Sequence, residues 1–531
     1  MPAPNIVIAF ADDWGRYASA YRGHERSSAW NELIETPNFD AIAAEGALFL
    51  NALVPAPTCT PCRSSMLAGR YFWQTGLGAI LMGSAWDDDI PTFPLELEAR
   101  AGYEIGHTYK VWSPGQTRNA PMGGVRTSYN QAGLDFNQFS HFVTSFGETY
   151  GTEVAKELLY TETRDNVRSF LLSRRTDRPF CYWWGPANTH RSWERGSGQA
   201  LWDIDPDDLE GRMPGFLPDV HDVREDVADY LGECLAFDHG LGVLVEELRK
   251  AGGYDDTVIV VSGDHGIPGI PRAKNNLYDI GCEVALAVRW PGVVEPGRVI
   301  DDFVNLMDVG PTLCETGGIE PPAGMSATSL VPLLRRPESG QVEPERDFVV
   351  TGRERHVAQA RAGCLPYPQR ALREKDFLYI INFEPDRWPL GDPIDLDDPI
   401  DLDDQDPDRR PTWDELASNP LRTLMDWDAG PTKAWMVLKR EDLDVEPLYD
   451  LAVGKRPREE LYDLRTDPDY LHNVADDPAY QEVRARMEAR LLALLAEHDD
   501  PRLTEQPCRY ELEPYAGPAD TTWFAYMWFQ K

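Results

Sequence analysis

CTPCRSSMLAGR, residues 59–70, is the stretch from which the fold and the chemistry of this 531-residue chain can be predicted. It reads C-x-P-x-R and then, after three further positions, L-x-G-R. Cys59 and Cys62 form a C-x-x-C pair, which is compatible with a redox site or with half of a zinc site. Zinc is disfavoured because no second C-x-x-C and no nearby pair of histidines follows. A redox pair does not need Arg63 or the L-x-G-R tail, so the full pattern indicates a different chemistry.

The composition is strongly acidic. Asp and Glu number 89 against 51 Lys and Arg, which gives a formal net charge of −38. Such a surface repels phosphate backbones and anionic lipid heads, so we expect neither nucleic-acid nor membrane partners. No apolar run reaches the roughly 18 residues that a membrane span needs. An anionic substrate would therefore need a local group of basic residues within an acidic protein.

The N-terminus and the cysteines bear on the compartment. The chain runs from Met1 almost directly into the apolar stretch Asn5–Ala11, with no basic segment of the secretory type before it. The eight cysteines are scattered, which in a long chain favours reduced thiols over a disulfide framework. We therefore expect a cytoplasmic protein. Its oligomeric state is left open, and a homo-oligomer is compatible with the sequence.

Apolar runs of strand length alternate with helix-length segments through residues 1–375. The segment Val227–Ala251 has apolar residues at helical spacing and ends at a pair of glycines. Strands that are apolar throughout predict a largely parallel sheet covered by helices on both faces, an α/β fold. The predicted strands are Asn5–Ala11, Phe180–Trp184, Thr257–Ser262 and Glu283–Arg289.

Polar pairs follow two of these strands. Asp12 and Asp13 come after the first strand, and Asp264 and His265 follow the third. Ligands of such sheets bind beyond the carboxyl ends of the strands, so we expect the two pairs to converge on a metal. Carboxylates favour a hard cation such as calcium, while the imidazole of His265 is also compatible with manganese or magnesium.

A second region is predicted for residues 376–531, a smaller α+β domain with an antiparallel sheet. Asp376–Phe383 indicates a strand, and Ala479–Glu497 indicates an amphipathic helix. Between them lies an acidic insert at about residues 392–408, which we interpret as a solvated loop because clustered like charges favour extended chain. It lacks the glycine of a calcium-binding EF-hand loop.

The pattern at residues 59–70 resembles the signature of the type I sulfatases, and the resemblance covers nearly the whole chain. It implies an alkaline-phosphatase-like fold with a large, mixed, mostly parallel sheet between helices, and a sulfate ester or sulfamate hydrolase activity. It also implies that a formylglycine-generating enzyme oxidises Cys59 to formylglycine, whose hydrated aldehyde is the nucleophile. One divalent cation, usually calcium in this family, would be bound by five residues: Asp12, Asp13, Cys59, Asp264 and His265.

The resemblance also implies a set of basic residues around the sulfate. By their positions in the family motifs, these are Arg63, Lys110, His190 and Lys274, with His190 as the proton donor to the leaving group. One departure concerns the family histidine two positions after the lysine, because this chain has Trp112 there. His107 is close in sequence and could replace it, although a structural histidine is the preferred interpretation.

Within the family, local matches are similar to the heparan N-sulfatase branch. They place His356 and Arg370 on the substrate side and point to a small anionic substrate, a sulfated sugar or an aryl sulfate. Two alternatives remain open. Some relatives with the same aldehyde hydrolyse phosphonate monoesters or phosphodiesters, and the substitution at Trp112 is compatible with a non-catalytic protein that binds sulfated sugars.

Overall fold

A computed structural model of the protein describes residues 3–115, 121–393 and 410–513. The strands are β1 (Asn5–Ala11), β2 (Ala47–Leu53), β3 (Glu104–Tyr109), β4 (Phe180–Gly185), β5 (Thr257–Gly263), β6 (Leu286–Arg289), β7 (Arg298–Asn305), β8 (Phe348–Arg353), β9 (Gln369–Glu374), β10 (Phe377–Asn382) and β11 (Glu459–Asp463). The helices are α1 (Pro37–Ala44), α2 (Cys59–Ala68), α3 (Phe93–Ala101), α4 (Phe139–Tyr150), α5 (Thr152–Ser173), α6 (Ser197–Trp202), α7 (His221–Lys250), α8 (Asp279–Cys282), α9 (Val309–Thr316), α10 (Val331–Leu334), α11 (Trp413–Ser418), α12 (Pro431–Leu438), α13 (Glu446–Val453), α14 (Gln481–Glu497) and α15 (Pro501–Thr504).

The larger sheet has seven strands in the order β3-β4-β1-β5-β6-β2-β7. Every neighbouring pair is parallel except the two pairs that β6 makes. Side chains of β1 alternate between two apolar cores, with Val7 in the core under α1, α5 and α7 and Ile8 in the core under α2, α3 and α9. Burial on both faces explains the continuous apolar runs in the sequence. The predicted α/β sandwich is confirmed, and the predicted helix Val227–Ala251 corresponds to α7.

The smaller sheet is antiparallel, in the order β11-β10-β9-β8. Helix α14 packs on one face of it. The predicted strand Asp376–Phe383 corresponds to β10, and the predicted helix Ala479–Glu497 corresponds to α14. Two of the four strands precede residue 376, so this sheet starts upstream of the proposed division at 375/376, and the domain boundary itself stays a prediction. The acidic insert at 392–408 lies outside the described residues from position 394 onward.

The described parts of the chain contain neither paired cysteines nor a helix suited to a bilayer. All eight cysteines carry free thiols, and seven of them are buried. None of the described helices combines the length and the apolar character that crossing a membrane requires.

Candidate active site

The predicted metal ligands meet at the carboxyl edge of the seven-stranded sheet. Asp12 and Asp13 directly follow β1, and Asp264 and His265 directly follow the neighbouring strand β5. The backbone N–H of Asp264 donates to the carbonyl oxygen of Ala11 at 3.2 Å. Oδ1 of Asp264 in turn accepts the backbone N–H of Asp13 at 2.7 Å. Two adjacent parallel strands therefore fix the spacing between the two polar pairs.

A glycine allows these strand ends to approach so closely. Gly263 is the last residue of β5, and a Cβ built there would lie 2.0 Å from the carbonyl oxygen of Trp14. The backbone of Asp13 has a φ of 51°, in the left-handed region that few residues other than glycine occupy. Such backbone outliers concentrate at functional sites, where the surrounding structure holds them in place.

Helix α2 carries the C-x-P-x-R pattern to the same edge. It begins at Cys59, and Arg63 is one turn further on, so the two side chains share a helix face. The tail of the pattern is structural. Leu67 packs in the core under the sheet, and Gly69 ends the helix with a φ of 58°, a conformation that favours glycine at this position.

Seven side chains form a buried group that we call the strand-end cluster. Arg63 donates from Nε to Oδ2 of Asp264 at 2.7 Å and from Nη2 to Oδ1 of Asp12 at 3.0 Å. Nζ of Lys110 lies 2.6 Å from Oδ2 of Asp12. Burial raises the pKa of Asp12, but the charges of Lys110 and Arg63 outweigh it and hold this pKa well below its usual range. The members of the cluster are Asp12, Asp13, Arg63, Lys110, Asp264, His265 and Lys274.

Lys274 and His190 approach Asp13 from the cavity side. Nζ of Lys274 donates to Oδ2 of Asp13 at 2.9 Å and lies 3.2 Å from Oδ2 of Asp428. Nε2 of His190 is 4.0 Å from the same Asp13 oxygen. Burial raises the pKa of Asp13, but the positive charges of Lys274, His265 and His190 together outweigh it and lower this pKa. The structure thus brings the predicted basic residues together around two aspartates.

Cys59 lies directly against this cluster. Its Sγ is 3.3 Å from Nε2 of His265 and 3.7 Å from Oδ1 of Asp13. Burial raises the pKa of Cys59, and the charge of Asp12 raises it further. Cys62 packs in the apolar core on the other side of α2, and burial raises its pKa well above the usual value. A redox C-x-x-C needs a lowered thiol pKa, so the redox alternative is disfavoured.

The donor set fits a divalent cation. Carboxylate oxygens are the ligands that calcium, magnesium and manganese prefer. The Nδ1–H of His265 donates to the carbonyl oxygen of Gly266 at 3.1 Å, which leaves Nε2 facing the carboxylates. Two overlapping groups offer ligand atoms within 4.8 Å of one another: Asp12, Asp13, Cys59 and His190, and Cys59, Asp264 and His265.

A cavity of about 320 Å³ lies above the strand-end cluster. This volume is at the lower end of the range for small-molecule sites. Its floor is polar and includes Asp12, Lys110, His190 and Lys274. Its walls are largely apolar and include Leu81, Met82, Pro114, Val357, Pro420, Leu421 and Met425.

Of the two residues predicted on the substrate side, only His356 lines the cavity. Its Nδ1 lies 2.8 Å from Oγ1 of Thr58. Burial lowers the pKa of His356 to about 4, so its ring is neutral near pH 7. Arg370 is elsewhere, fully buried, with its guanidinium paired to Glu354 at 2.8 Å and to Asp500 at 2.6 Å. Its placement on the substrate side is therefore corrected, because these ion pairs occupy it inside the C-terminal region.

Arg370 belongs to a second buried group, which we call the Glu354 cluster. It consists of Glu354, Arg370, Asp500 and Arg502. Arg502 pairs with Glu354 at 2.5 Å. The rings of Phe72 and Trp73 lie 4.9 and 5.0 Å from the guanidinium carbon of Arg370. None of the four charged residues lines the cavity above Cys59.

Trp112 stands where the family has a histidine, and His107 does not take over the place of that histidine. Nε1 of Trp112 donates to Oγ of Ser64 at 2.7 Å, so the indole is hydrogen-bonded to helix α2 and helps to hold it in place. His107 lies on β3 with its Nε2 3.2 Å from the carbonyl oxygen of Gly124, and it does not line the cavity. His107 is therefore a structural residue, and the histidines that line the cavity among the described residues are His190 and His356.

Sequence reasoning missed two residues that shape the site. Asp428 lies beside Lys274 although it is far away along the chain and belongs to no recognised motif. Tyr230, on α7, donates its hydroxyl to the carbonyl oxygen of Asp13 at 2.9 Å and accepts the N–H of Gly15 at 3.1 Å. It thereby supports the left-handed backbone at Asp13. In the sequence, Tyr230 carries only the signal of an ordinary core residue on a helix face.

The sheet and the cluster define an alkaline-phosphatase-like α/β fold with buried carboxylates at the strand ends. The sequence model of the Sulfatase family matches residues 4–319, which is more than half of the chain. The chain therefore belongs to the sulfatase family and is a sulfate ester hydrolase.

Named relatives extend over nearly the full length. N-sulphoglucosamine sulphohydrolase from Homo sapiens is 26% identical over 540 aligned residues, covering 94% of this chain and 91% of the human protein. An ulvan-active sulfatase from Formosa agariphila is 25% identical, covering 94% of this chain and 76% of that protein. At this level of identity the relatives do not define the substrate of this chain.

Solved structures share the fold. BT4656, in complex with its substrate D-glucosamine-2-N,6-O-disulfate, matches with a TM-score of 0.60 at 17% identity, covering 95% of this chain and all of that one. The phosphonate monoester hydrolase of Agrobacterium radiobacter matches with a TM-score of 0.59 at 20% identity, covering 93% of this chain and 96% of that one. The same architecture therefore holds sites that act on different oxyanions.

Proposed function

We propose that this sulfate ester hydrolase works through a formylglycine made from Cys59, and that it also accepts sulfamates. The observation that carries the proposal is the position of Cys59, with Sγ 3.3 Å from His265 at the floor of a cavity. When present, formylglycine supplies as its hydrate the hydroxyl that attacks sulfur. A divalent cation held by the carboxylates and His265 would polarise the sulfate oxygens, and we expect calcium.

The lysines of the strand-end cluster would bind the sulfate. Lys110 and Lys274 pair with Asp12 and Asp13 in the present structure. A cation bound by the same aspartates would compete for those oxygens, so both ammonium groups could turn toward an anion in the cavity. Arg63 is buried deeper and keeps Asp12 and Asp264 in place. Positive groups placed beside the sulfate in this way stabilise the charge that builds on its oxygens during bond cleavage.

His190 is suited to give a proton to the leaving oxygen or nitrogen. Its side chain is 32% exposed and lines the cavity. Its Nδ1–H donates to the carbonyl oxygen of Arg191 at 2.6 Å, which fixes the ring. Nε2 is then the nitrogen that faces the reacting space, as a general acid requires.

The test combines mass spectrometry with a substrate panel. A digest of protein from its native host should show the Cys59 peptide as the aldehyde, and sulfate release should scale with the converted fraction. The panel contains an aryl sulfate, an N-sulfoglucosamine, after the human relative, and an aryl phosphonate ester. Fully converted protein that releases no sulfate in the presence of calcium would contradict the proposal. Faster phosphonate cleavage would favour the phosphonate hydrolase alternative, and unconverted Cys59 would favour the non-catalytic one.

A further inference from the structure

We propose that the cavity selects a substrate with a single sulfate group and an apolar leaving group, and that it discriminates against polysulfated sugars. The inference rests on the proposed function and deepens it, because it concerns the part of the substrate that leaves. It is carried by the contrast between the charged floor of the cavity and its walls, which are largely apolar, with Ser113, Asn137 and Gln138 as polar exceptions.

The wall next to Cys59 is apolar. Cys59 packs in one buried cluster with Leu81, Met82 and Val357, and Met425 packs against that cluster. A group attached to a sulfate at the cavity floor would leave past these side chains. These side chains increase the affinity for a hydrocarbon group that they bury, and they offer no hydrogen-bond partner to the hydroxyls of a sugar.

Two segments that form this wall are fixed by hydrogen bonds. The backbone N–H of Met82 donates to the carbonyl oxygen of His356 at 3.0 Å, which ties the two sides of the wall together. Oδ1 of Asp426 accepts the backbone N–H of Val357 at 2.9 Å. A wall held in this way keeps its shape when a ligand binds, so its chemistry selects among ligands.

The loop that carries Met425 is also anchored. Nζ of the buried Lys433 donates to the carbonyl oxygens of Thr423 and Trp427 at 2.6 and 2.8 Å. Nε1 of Trp427 donates to the carbonyl oxygen of Gly269 at 2.9 Å. Met425 therefore projects into the cavity from a rigid loop.

Within the described residues, the basic side chains around the cavity are already paired or assigned to the first sulfate, and His190 is assigned to the leaving group. Arg191 is paired with both oxygens of Asp226 at 2.7 and 2.8 Å. His356 is neutral because burial lowers its pKa to about 4. Lys110 and Lys274 are required for the first sulfate. Asp428, which also lines the cavity and lies 3.2 Å from Nζ of Lys274, offsets part of the positive charge there.

The cavity volume agrees with a small leaving group. About 320 Å³ must hold the sulfate together with the group attached to it. Small-molecule sites run from about 300 to 1,000 Å³, so the walls of this cavity, which is open on one side, can enclose a single ring or a short alkyl chain.

The experiment uses alkanesulfonates, whose C–S bond the enzyme cannot cleave, and a disulfated sugar that is tested on Cys59→Ala protein so that it is not turned over. Binding of methane-, butane-, hexane- and octanesulfonate to the calcium-loaded wild-type protein is measured by calorimetry. The Kd should fall about three- to fourfold for each methylene that the cavity buries, and then level off. D-glucosamine-2-N,6-O-disulfate should bind more weakly than hexanesulfonate. A Kd that does not depend on chain length, or tighter binding of the disulfate, would overturn the proposal.

Variants locate the effect. Met425→Gln should reduce the dependence of Kd on chain length, whereas Leu172→Gln, at a position that is 85% exposed, should leave it unchanged. Sulfate release from hexyl sulfate and from N-sulfoglucosamine separates this inference from the proposed function. If the Kd depends on chain length but no sulfate is turned over, only the proposed mechanism is contradicted. If sulfate is released but the Kd does not depend on chain length, only the proposed apolar subsite is contradicted.

Discussion

Two buried groups of charges in this molecule have opposite characters. The strand-end cluster lies beneath a cavity and contains a lysine that is 11% exposed and a histidine neighbour that is 32% exposed. In the Glu354 cluster, Glu354 and Arg370 are fully buried, and aromatic rings pack beside the arginine. Both satisfy their charges by ion pairing, as buried charges require. Only the first can exchange its partners for a ligand.

The contrast between the two clusters shows that a buried charge by itself does not identify a functional site. In the Glu354 cluster each carboxylate is matched by an arginine of rigid geometry, and removing one partner leaves an uncompensated charge. In the strand-end cluster Arg63 holds Asp12 and Asp264 in the same way. Asp12 and Asp13 also pair with lysines, whose flexible side chains can move when a cation arrives. The first type of pairing stabilises a fold, and the second prepares a binding site.

The largest expected effect comes from the cysteine pair. Cys59→Ala should lower kcat/KM for an aryl sulfate by at least about 10⁴-fold, because the nucleophile is lost. Cys62→Ala, three residues away on the core side of the same helix, should keep the activity within about tenfold. Turnover by Cys59→Ala at the wild-type rate would show that this edge of the sheet is not the reactive one.

The Glu354 cluster should respond in stability and not in catalysis. Arg370→Met should reduce the free energy of unfolding by about 3–5 kcal/mol, measured in urea, because Glu354 and Asp500 lose a buried partner. The kcat of the folded fraction should stay within about twofold of the wild type. The matched control is Arg465→Met, because that side chain is 55% exposed in its ion pair with Asp463. This substitution should leave the free energy of unfolding nearly unchanged. A selective loss of substrate affinity in Arg370→Met would return this arginine to the substrate side.

A divalent cation should stabilise the folded protein through one cluster only. At a hundred times its Kd, calcium should raise the free energy of unfolding by about 2.7 kcal/mol, and a chelator should reverse the effect. Asp264→Asn should abolish this shift. Asp500→Asn should lower the baseline stability but leave the calcium shift intact. A shift that survives Asp264→Asn would place the cation somewhere else.

The smallest expected effect is a loss of folding stability at acidic pH. Burial raises the pKa of Glu354, but the charges of Arg502 and Arg370 outweigh it and lower this pKa below the usual 4.5. A depressed carboxyl pKa contributes stability that is fully present above pH 4.5 and is lost as the pH falls through the folded-state pKa. The stability advantage of the wild type over Glu354→Gln should therefore shrink below pH 4.5. An advantage that stays constant down to pH 3 would show that the pKa of this carboxyl is not lowered in the folded protein.

The sequence was sufficient to predict which residues meet at the carboxyl edge of the large sheet. Asp12, Asp13, Asp264 and His265 follow apolar strands, and parallel strands bring their carboxyl ends to one edge. The spacing from Cys59 to Arg63 then places both on one face of a helix. These features are local in sequence, so a linear pattern can carry them.

The rest of the site depends on contacts between distant segments. Asp428 and Met425 reach the cavity because Lys433 and Trp427 anchor their loop. No local pattern records that anchoring. Arg370 shows the converse, because a match to a short motif gives no information about depth, and its side chain lies in the interior of the C-terminal region.

Helix α2 has a consequence for the order of events during biosynthesis. All ten of its residues are buried, and Cys59 is only 2% exposed. A second enzyme could not reach this side chain once the surrounding core had closed. If Cys59 is converted as proposed, the oxidation must occur on the nascent or still unfolded polypeptide. The active fraction of any preparation would then be set by a kinetic competition between oxidation and folding, and molecules that fold too early would keep their thiol permanently.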